Sequence, residues 1–123
     1  MTINEAITTV DDLKPNGYSQ SQKIQWLSSL DGLIKRQIID THEGGEDVVF
    51  NGYDDDTPID TELLIYEPYT DAYIYWLEAK IDLSNREWAS YNNSITKHNE
   101  VAEDFYRDYN RTHTPKGKII RFW

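Results

Sequence analysis

Leu77-Glu78-Ala79-Lys80-Ile81-Asp82-Leu83-Ser84-Asn85-Arg86-Glu87-Trp88 decides how the second half of this chain folds. From Leu77 a stripe runs through Ile81, Ser84, Trp88, Tyr91, Ile95, His98, Ala102, Phe105 and Tyr109, at spacings that alternate four and three. That period is helical. Neither Gly nor Pro interrupts the chain between Pro68 and Pro115. The unbroken phase favours one continuous rod, about 60 Å long at 1.5 Å per residue. Two places compete with it. Ser84-Asn85-Arg86-Glu87 has the Ser/Thr-x-x-Glu form of a capping box, and Asn92-Asn93-Ser94 is a poor helix interior. A kink or a turn at either would make a helical hairpin. The polar Ser84 and His98 within the stripe argue against a simple coiled coil.

Working back toward the N-terminus, Thr2-Ile3-Asn4-Glu5 is another capping box, with Ile3, Ile7 and Val10 on one face behind it. A short first helix is expected, ending before Pro15-Asn16-Gly17. Ser19-Gln20-Ser21-Gln22 repeats the signature. Ile24, Leu27, Leu30, Ile34 and Ile38 then predict a second helix reaching His42, with Gly32 as its one irregularity. An interior Gly costs about 1 kcal/mol relative to Ala, so a kink, a close contact or simple tolerance could all explain it.

Between the helical halves, residues 43–71 carry ten acids and no Lys or Arg, with turn signals at Gly44-Gly45 and Asn51-Gly52 and prolines at 58 and 68. The segment reads as a long acidic connection. Val48-Val49-Phe50 and Leu63-Leu64-Ile65-Tyr66 are β-prone and bounded by breakers, which predicts short strands within it. Connections of this length in compact domains usually carry function or lack order, and the embedded apolar segments weigh against disorder.

At 123 residues the chain is one domain with a modest core, and its lack of cysteine removes disulfides and thiolate metal sites. No apolar run approaches a membrane span and no signal peptide is visible, so a soluble, intracellular protein is expected. A net charge of -10 opposes binding to phosphate backbones. Searches for chemistry fail at required positions. His42-Glu43 opens like a zinc-protease motif, but Glu46 stands where the second His belongs. Asp54-Asp55-Asp56 invites calcium, yet Ile59 replaces the loop glycine and Pro58 has no ligating side chain. His98 on an apolar stripe reads as a hydrogen-bonded core residue. Lys35, Arg36, Arg107 and Arg111 are flanked by acids and read as surface ion pairs. No catalytic residue, metal or cofactor is expected.

The C-terminus is built differently from the rest. From His113 onward there are three Lys/Arg and no acid, whereas residues 1–112 hold nine Lys/Arg against 22 Asp/Glu. Residues 1–115 read as a helical domain and 116–123 as an extended basic and aromatic tail. Ile119, Ile120, Phe122 and Trp123 are expected to anchor in a partner while Lys116, Lys118 and Arg121 meet carboxylates. The acidic connection, with Phe50, Tyr53, Asp54, Asp55 and Asp56, is the expected receiving surface. A tail folded back over its own helices is the alternative.

Several stretches together resemble a family. Tyr109-Asn110-Arg111-Thr112-His113-Thr114-Pro115-Lys116-Gly117, Trp76-Leu77-Glu78-Ala79-Lys80-Ile81-Asp82, Tyr91-Asn92-Asn93-Ser94 and Thr2-Ile3-Asn4-Glu5-Ala6-Ile7 look like recurrent segments of small proteins from prophage head and packaging clusters. These are similar to the head-tail connector, or adaptor, proteins of tailed bacteriophages. The resemblance implies a mostly α fold, a small helical bundle with a long C-terminal helix or hairpin. It also implies a homo-oligomeric ring, commonly of twelve copies, between the portal and a tail-side connector or stopper. Such a protein would be assembled in the host bacterial cytoplasm and reside at the head-tail interface of the virion. DNA would pass through the ring without sequence-specific contact, and no membrane would be involved. Composition leaves one rival, an acidic inhibitor that mimics DNA against a host nuclease. Carboxylates concentrated in one connection, beside a basic tail, weigh against that reading.

Overall fold

Thr2 and Ser19 open the first two helices in the way their spacing requires. The Thr2 hydroxyl accepts the Glu5 N–H at 3.1 Å while the Glu5 carboxylate accepts the Thr2 N–H at 3.0 Å, and Ser19 Oγ accepts the Gln22 N–H at 3.1 Å. The computed structural model describes residues 1–117, and these form α1 (Ile3–Leu13), α2 (Gln20–Gln37), α3 (Asp71–Ser84) and α4 (Trp88–Thr112). The fold is mostly α, as expected. The second helix stops at Gln37, short of His42, and continues as a single 3-10 turn over Ile39–Thr41. Gly32 makes no close helix contact. A Cβ there would meet only the Phe50 ring, at 3.8 Å.

The stripe from Leu77 to Tyr109 folds as a hairpin, which corrects the continuous-rod expectation. The turn falls at the predicted Ser84–Glu87 position but uses other chemistry. The Glu87 N–H donates to the Asp82 carbonyl at 2.9 Å and the Arg86 N–H to the Leu83 carbonyl at 3.1 Å. Arg86 takes a left-handed φ of 59°. Those two bonds around a left-handed residue form a Schellman cap, which ends α3. Ser84 is therefore the last residue of α3 instead of a cap for α4, and Glu87 precedes α4 with no side-chain cap. Glycine is the usual occupant of the left-handed position. Arg86 hides the turn from a reader looking for breakers.

The two arms of the hairpin are buried very differently. α3 buries Ala72, Tyr73, Ile74, Leu77, Ala79, Ile81 and Asp82 and sits among the other helices. α4 is longer, yet its described buried residues are His98, Phe105 and Tyr109. Ile3, Ala6, Ile7 and Val10 of α1 and Ile24, Leu27, Leu30 and Ile34 of α2 complete the core. Each fully buried Leu or Ile contributes about 1.5–3 kcal/mol.

The acidic connection contains no strand among the described residues, so the predicted strands at 48–50 and 63–66 are corrected to irregular backbone. Leu63 and Ile65 of the second segment are nonetheless buried. Their backbone, however, bonds elsewhere. The Leu63 N–H donates to the Met1 carbonyl at 2.9 Å, the Leu64 N–H to Asp31 Oδ2 at 3.0 Å and the Ile65 N–H to the Tyr73 hydroxyl at 2.6 Å. Side chains of α2 and α3 thus supply what a neighbouring strand would have supplied.

Asp31 is the knot of this arrangement. Fully buried, it also accepts the Tyr53 hydroxyl at 2.5 Å and the Tyr73 hydroxyl at 2.6 Å. Burial raises its carboxyl above the usual range, although these donors and the Leu64 N–H pull the other way. A second buried acid, Asp82, pairs with Lys14 and accepts Ser94 Oγ across the hairpin at 3.2 Å. No described buried side-chain nitrogen or oxygen lacks a partner.

Candidate functional site

The predicted receiving residues of the connection lie against α2. Phe50 and Tyr53 meet edge to face with centroids 5.1 Å apart, and Tyr53 is tied inward by Asp31. Asp54 Oδ1 accepts the Asp56 N–H at 2.9 Å in a local turn, and Asp55 accepts Ser21 Oγ at 2.7 Å. Tyr53, Asp54 and Asp55 therefore join the first turn of α2 around a polar cleft of about 260 Å³. The three aspartates stay exposed, in keeping with a solvated loop. Among the described residues no group of three or more His, Asp or Glu is arranged to hold a metal ion.

Of the predicted tail, Lys116 is described, whereas Lys118, Ile119, Ile120, Arg121, Phe122 and Trp123 lie outside the described residues. The chain leaves α4 at Thr112, with the His113 ring stacked on Tyr109 at 3.8 Å. It then runs along the start of the acidic connection in its own chain. The Glu43 N–H donates to the Thr114 carbonyl and the Lys116 N–H to the Thr41 carbonyl, both at 2.8 Å. His42, buried between them, places Nε2 2.6 Å from Asn110 Oδ1 and packs edge to face on Tyr109. Lys116 Nζ lies 3.5 Å from the Glu46 carboxylate. The Glu46 carboxyl is held below its ordinary range by its own backbone N–H and then by Lys116. Gly45 lets the turn before Glu46 pack on the Ile39–Thr41 turn, because a Cβ there would collide with the Ile39 carbonyl.

A feature that sequence reasoning missed lies beside this junction. Leu30, Leu33, Ile34 and Gln37 of α2, with Ile38 just after it, face His98, Asn99, Ala102, Glu103 and Tyr106 of α4 across a mostly apolar groove of about 420 Å³, which Trp76 of α3 completes. Leu33 is 46% exposed and Tyr106 44%, so two large apolar side chains stand in water at its edges. His98 behaves as predicted for a core histidine. Its Nδ1 lies 2.7 Å from the Ala72 carbonyl, its ring rests on Trp76, and burial lowers its pKa against the opposing hydrogen bond. The signal was available in Leu33 and Tyr106, which flank the core stripes of α2 and α4 by one position. Neither helix alone reveals that these flanks face each other.

A smaller exposed apolar site sits at the hairpin tip, where Leu83 and Trp88 stand on either side of the turn, 37% and 58% exposed. It is about 15 Å or more from the groove, measured along α4 at 1.5 Å per residue. Arg107 and Arg111 are absorbed by Glu103, Asp104 and Asp108 at three- and four-residue spacings, as their flanking acids predicted. None of the described helices is long and apolar enough to cross a membrane. No protein-family model, curated protein or solved structure matches the chain.

Proposed function

We propose that this chain is a non-catalytic assembly subunit of the phage head-tail connector type, which joins copies of itself in a ring and the ring to a portal. The observation that carries the reading is the α2/α4 groove with Leu33 and Tyr106 exposed at its edges. Clustered apolar side chains left in water beside a concave surface mark protein contacts. The separate site at Leu83 and Trp88 adds a second, unlike face, and head-to-tail rings are built from unlike faces. Charge is divided in the same sense. The acidic connection offers carboxylates from Glu43 to Asp71, and the C-terminal segment offers Lys116, Lys118 and Arg121. The segments that resemble connector proteins supply the specific role and the virion location.

The test is to mix the full chain with the portal protein of its own gene cluster and to image the product by electron microscopy while recording its mass. A ring of this chain seated on the portal supports the reading. A chain that stays monomeric at every concentration and leaves the portal bare overturns it.

A further inference from the structure

At the turn of the hairpin the fold leaves two large apolar side chains in water. Leu83 lies in the last turn of α3, and Trp88 heads the α4 stripe whose later positions His98, Phe105 and Tyr109 are buried. The groove is the reverse, an apolar hollow of about 420 Å³. Pockets of about 300–1,000 Å³ enclose small molecules, and this one suits a large aromatic side chain with an aliphatic neighbour. Tip and groove cannot meet within one chain. Both belong to the same hairpin, α4 is one helix from Trp88 to Thr112, and Ser94 Oγ holds it to Asp82 of α3. Along that helix His98 lies about 15 Å from Trp88, and Tyr106 about 27 Å, at 1.5 Å per residue. A second copy is free of that constraint.

Charge fits as well. Arg86 and Glu87 are exposed at the tip. The groove carries Glu103 on its α4 wall, and the exposed Arg36 stands one turn along α2 from Leu33. Glu103 meets Arg107 at 3.4 Å, a loose surface contact of little worth that leaves the carboxylate able to take a second cation. We propose that the hairpin tip of one copy, led by Trp88 and Leu83, docks in the α2/α4 groove of the next, with Arg86 toward Glu103 and Glu87 toward Arg36. The proposal rests on the reading of this chain as an assembly subunit, and it names the partner of the groove. Each copy keeps one tip and one groove, so the contact propagates head to tail and closes a ring when the rotation per step permits. A single contact is small. A Trp with a Leu buries far less than the roughly 1,200 Å² of a stable interface, so dilute copies stay separate and a ring gains its hold from repetition.

The chain has no cysteine, so two single-cysteine versions of the full chain report one contact between copies. Ser84→Cys marks the tip and Asn99→Cys the groove; both residues are exposed, and both variants keep the anchoring side chains. One version carries an affinity tag, and the two are mixed over a concentration series, treated with a short bis-maleimide and resolved by mass. We expect the mixed tip-to-groove dimer in about tenfold or greater excess over either symmetric dimer, where random encounters give about twofold. Trp88→Ala in the tip version and Leu33→Glu in the groove version should each return the ratio to the random value. A random ratio in the starting pair at every concentration overturns the proposal, since the groove then has another occupant or none. Dominant symmetric dimers overturn it too, because they mark an isologous contact, and so does an excess that survives Trp88→Ala. All four substituted residues are exposed, and a parental circular dichroism spectrum in each variant keeps the readout clear of misfolding. A ring seated on the portal with no mixed excess would sink this contact and leave the connector reading standing; a mixed excess from a chain that leaves the portal bare would do the opposite.

Discussion

The two arms of the α3/α4 hairpin come from one continuous stripe, yet they do different work. α3 is consumed by folding: it buries side chains on several sides and, through Tyr73 and Asp82, takes part in both buried carboxylate networks. α4 spends few residues on the core, His98, Phe105 and Tyr109, and leaves Trp88 and Tyr106 in water. On the proposed function, the difference separates stability from interaction within a single motif. Substitutions on the α3 side should act on unfolding, and those on the groove side of α4 and α2 should act on association.

The largest effect is expected at the Asp31 knot. Asp31→Ala strips acceptors from two tyrosine hydroxyls and the Leu64 N–H, and unpaired buried donors cost about 1–3 kcal/mol each. A loss of about 3 kcal/mol or more is expected in urea unfolding. Retention of parental stability would break the assignment of folding to the α3 side. Next in size is Arg86→Gly at the hairpin turn. A non-glycine residue in the left-handed region costs about 1–2 kcal/mol, and part of the relief is offset by the freedom of Gly in the unfolded chain. A gain of up to about 1 kcal/mol is expected, and a loss would show that Arg86 holds the turn by its side chain.

The turn and the connection also show how far the residues could be read. The caps at Thr2 and Ser19 and the α1 and α2 stripes follow from local chemistry, and each was legible. The rod was wrong because the four-and-three phase continues through Ser84–Glu87 while the chain reverses, with Arg where a Gly would have announced the reversal. The strands were wrong because β-prone residues between breakers say nothing of whether Asp31 and Tyr73 or another strand will satisfy the backbone. The groove needs three helices to be in place, so no single segment encodes it. Of the tail, only the route through Thr114 and Lys116 along residues 41–46 could be compared with the reading of a basic end beside an acidic connection, and it runs there within one chain.

A pH measurement sharpens the comparison on α4 itself. His98 has its pKa lowered by burial, so the unfolded chain binds the proton more readily than the folded one. Its contribution is fully present above the unfolded value near 6.5 and is lost as pH falls from there through the depressed folded value. The parent should therefore lose stability relative to His98→Gln as pH is lowered from 7 toward 5. Parallel profiles would remove His98 from the buried framework of the groove. The smallest effect on stability is expected for Leu33→Glu, within about 0.5 kcal/mol, because the side chain is already half in water.

That variant also provides the most direct test of the division between the arms, in a titration of parent and Leu33→Glu full-length chains against the portal ring, with unfolding followed on the same samples. We expect the variant to unfold like the parent and to bind at least about tenfold more weakly, a difference of about 1.4 kcal/mol. Binding equal to the parent's at unchanged stability would contradict the assignment of partner contacts to the α2/α4 groove.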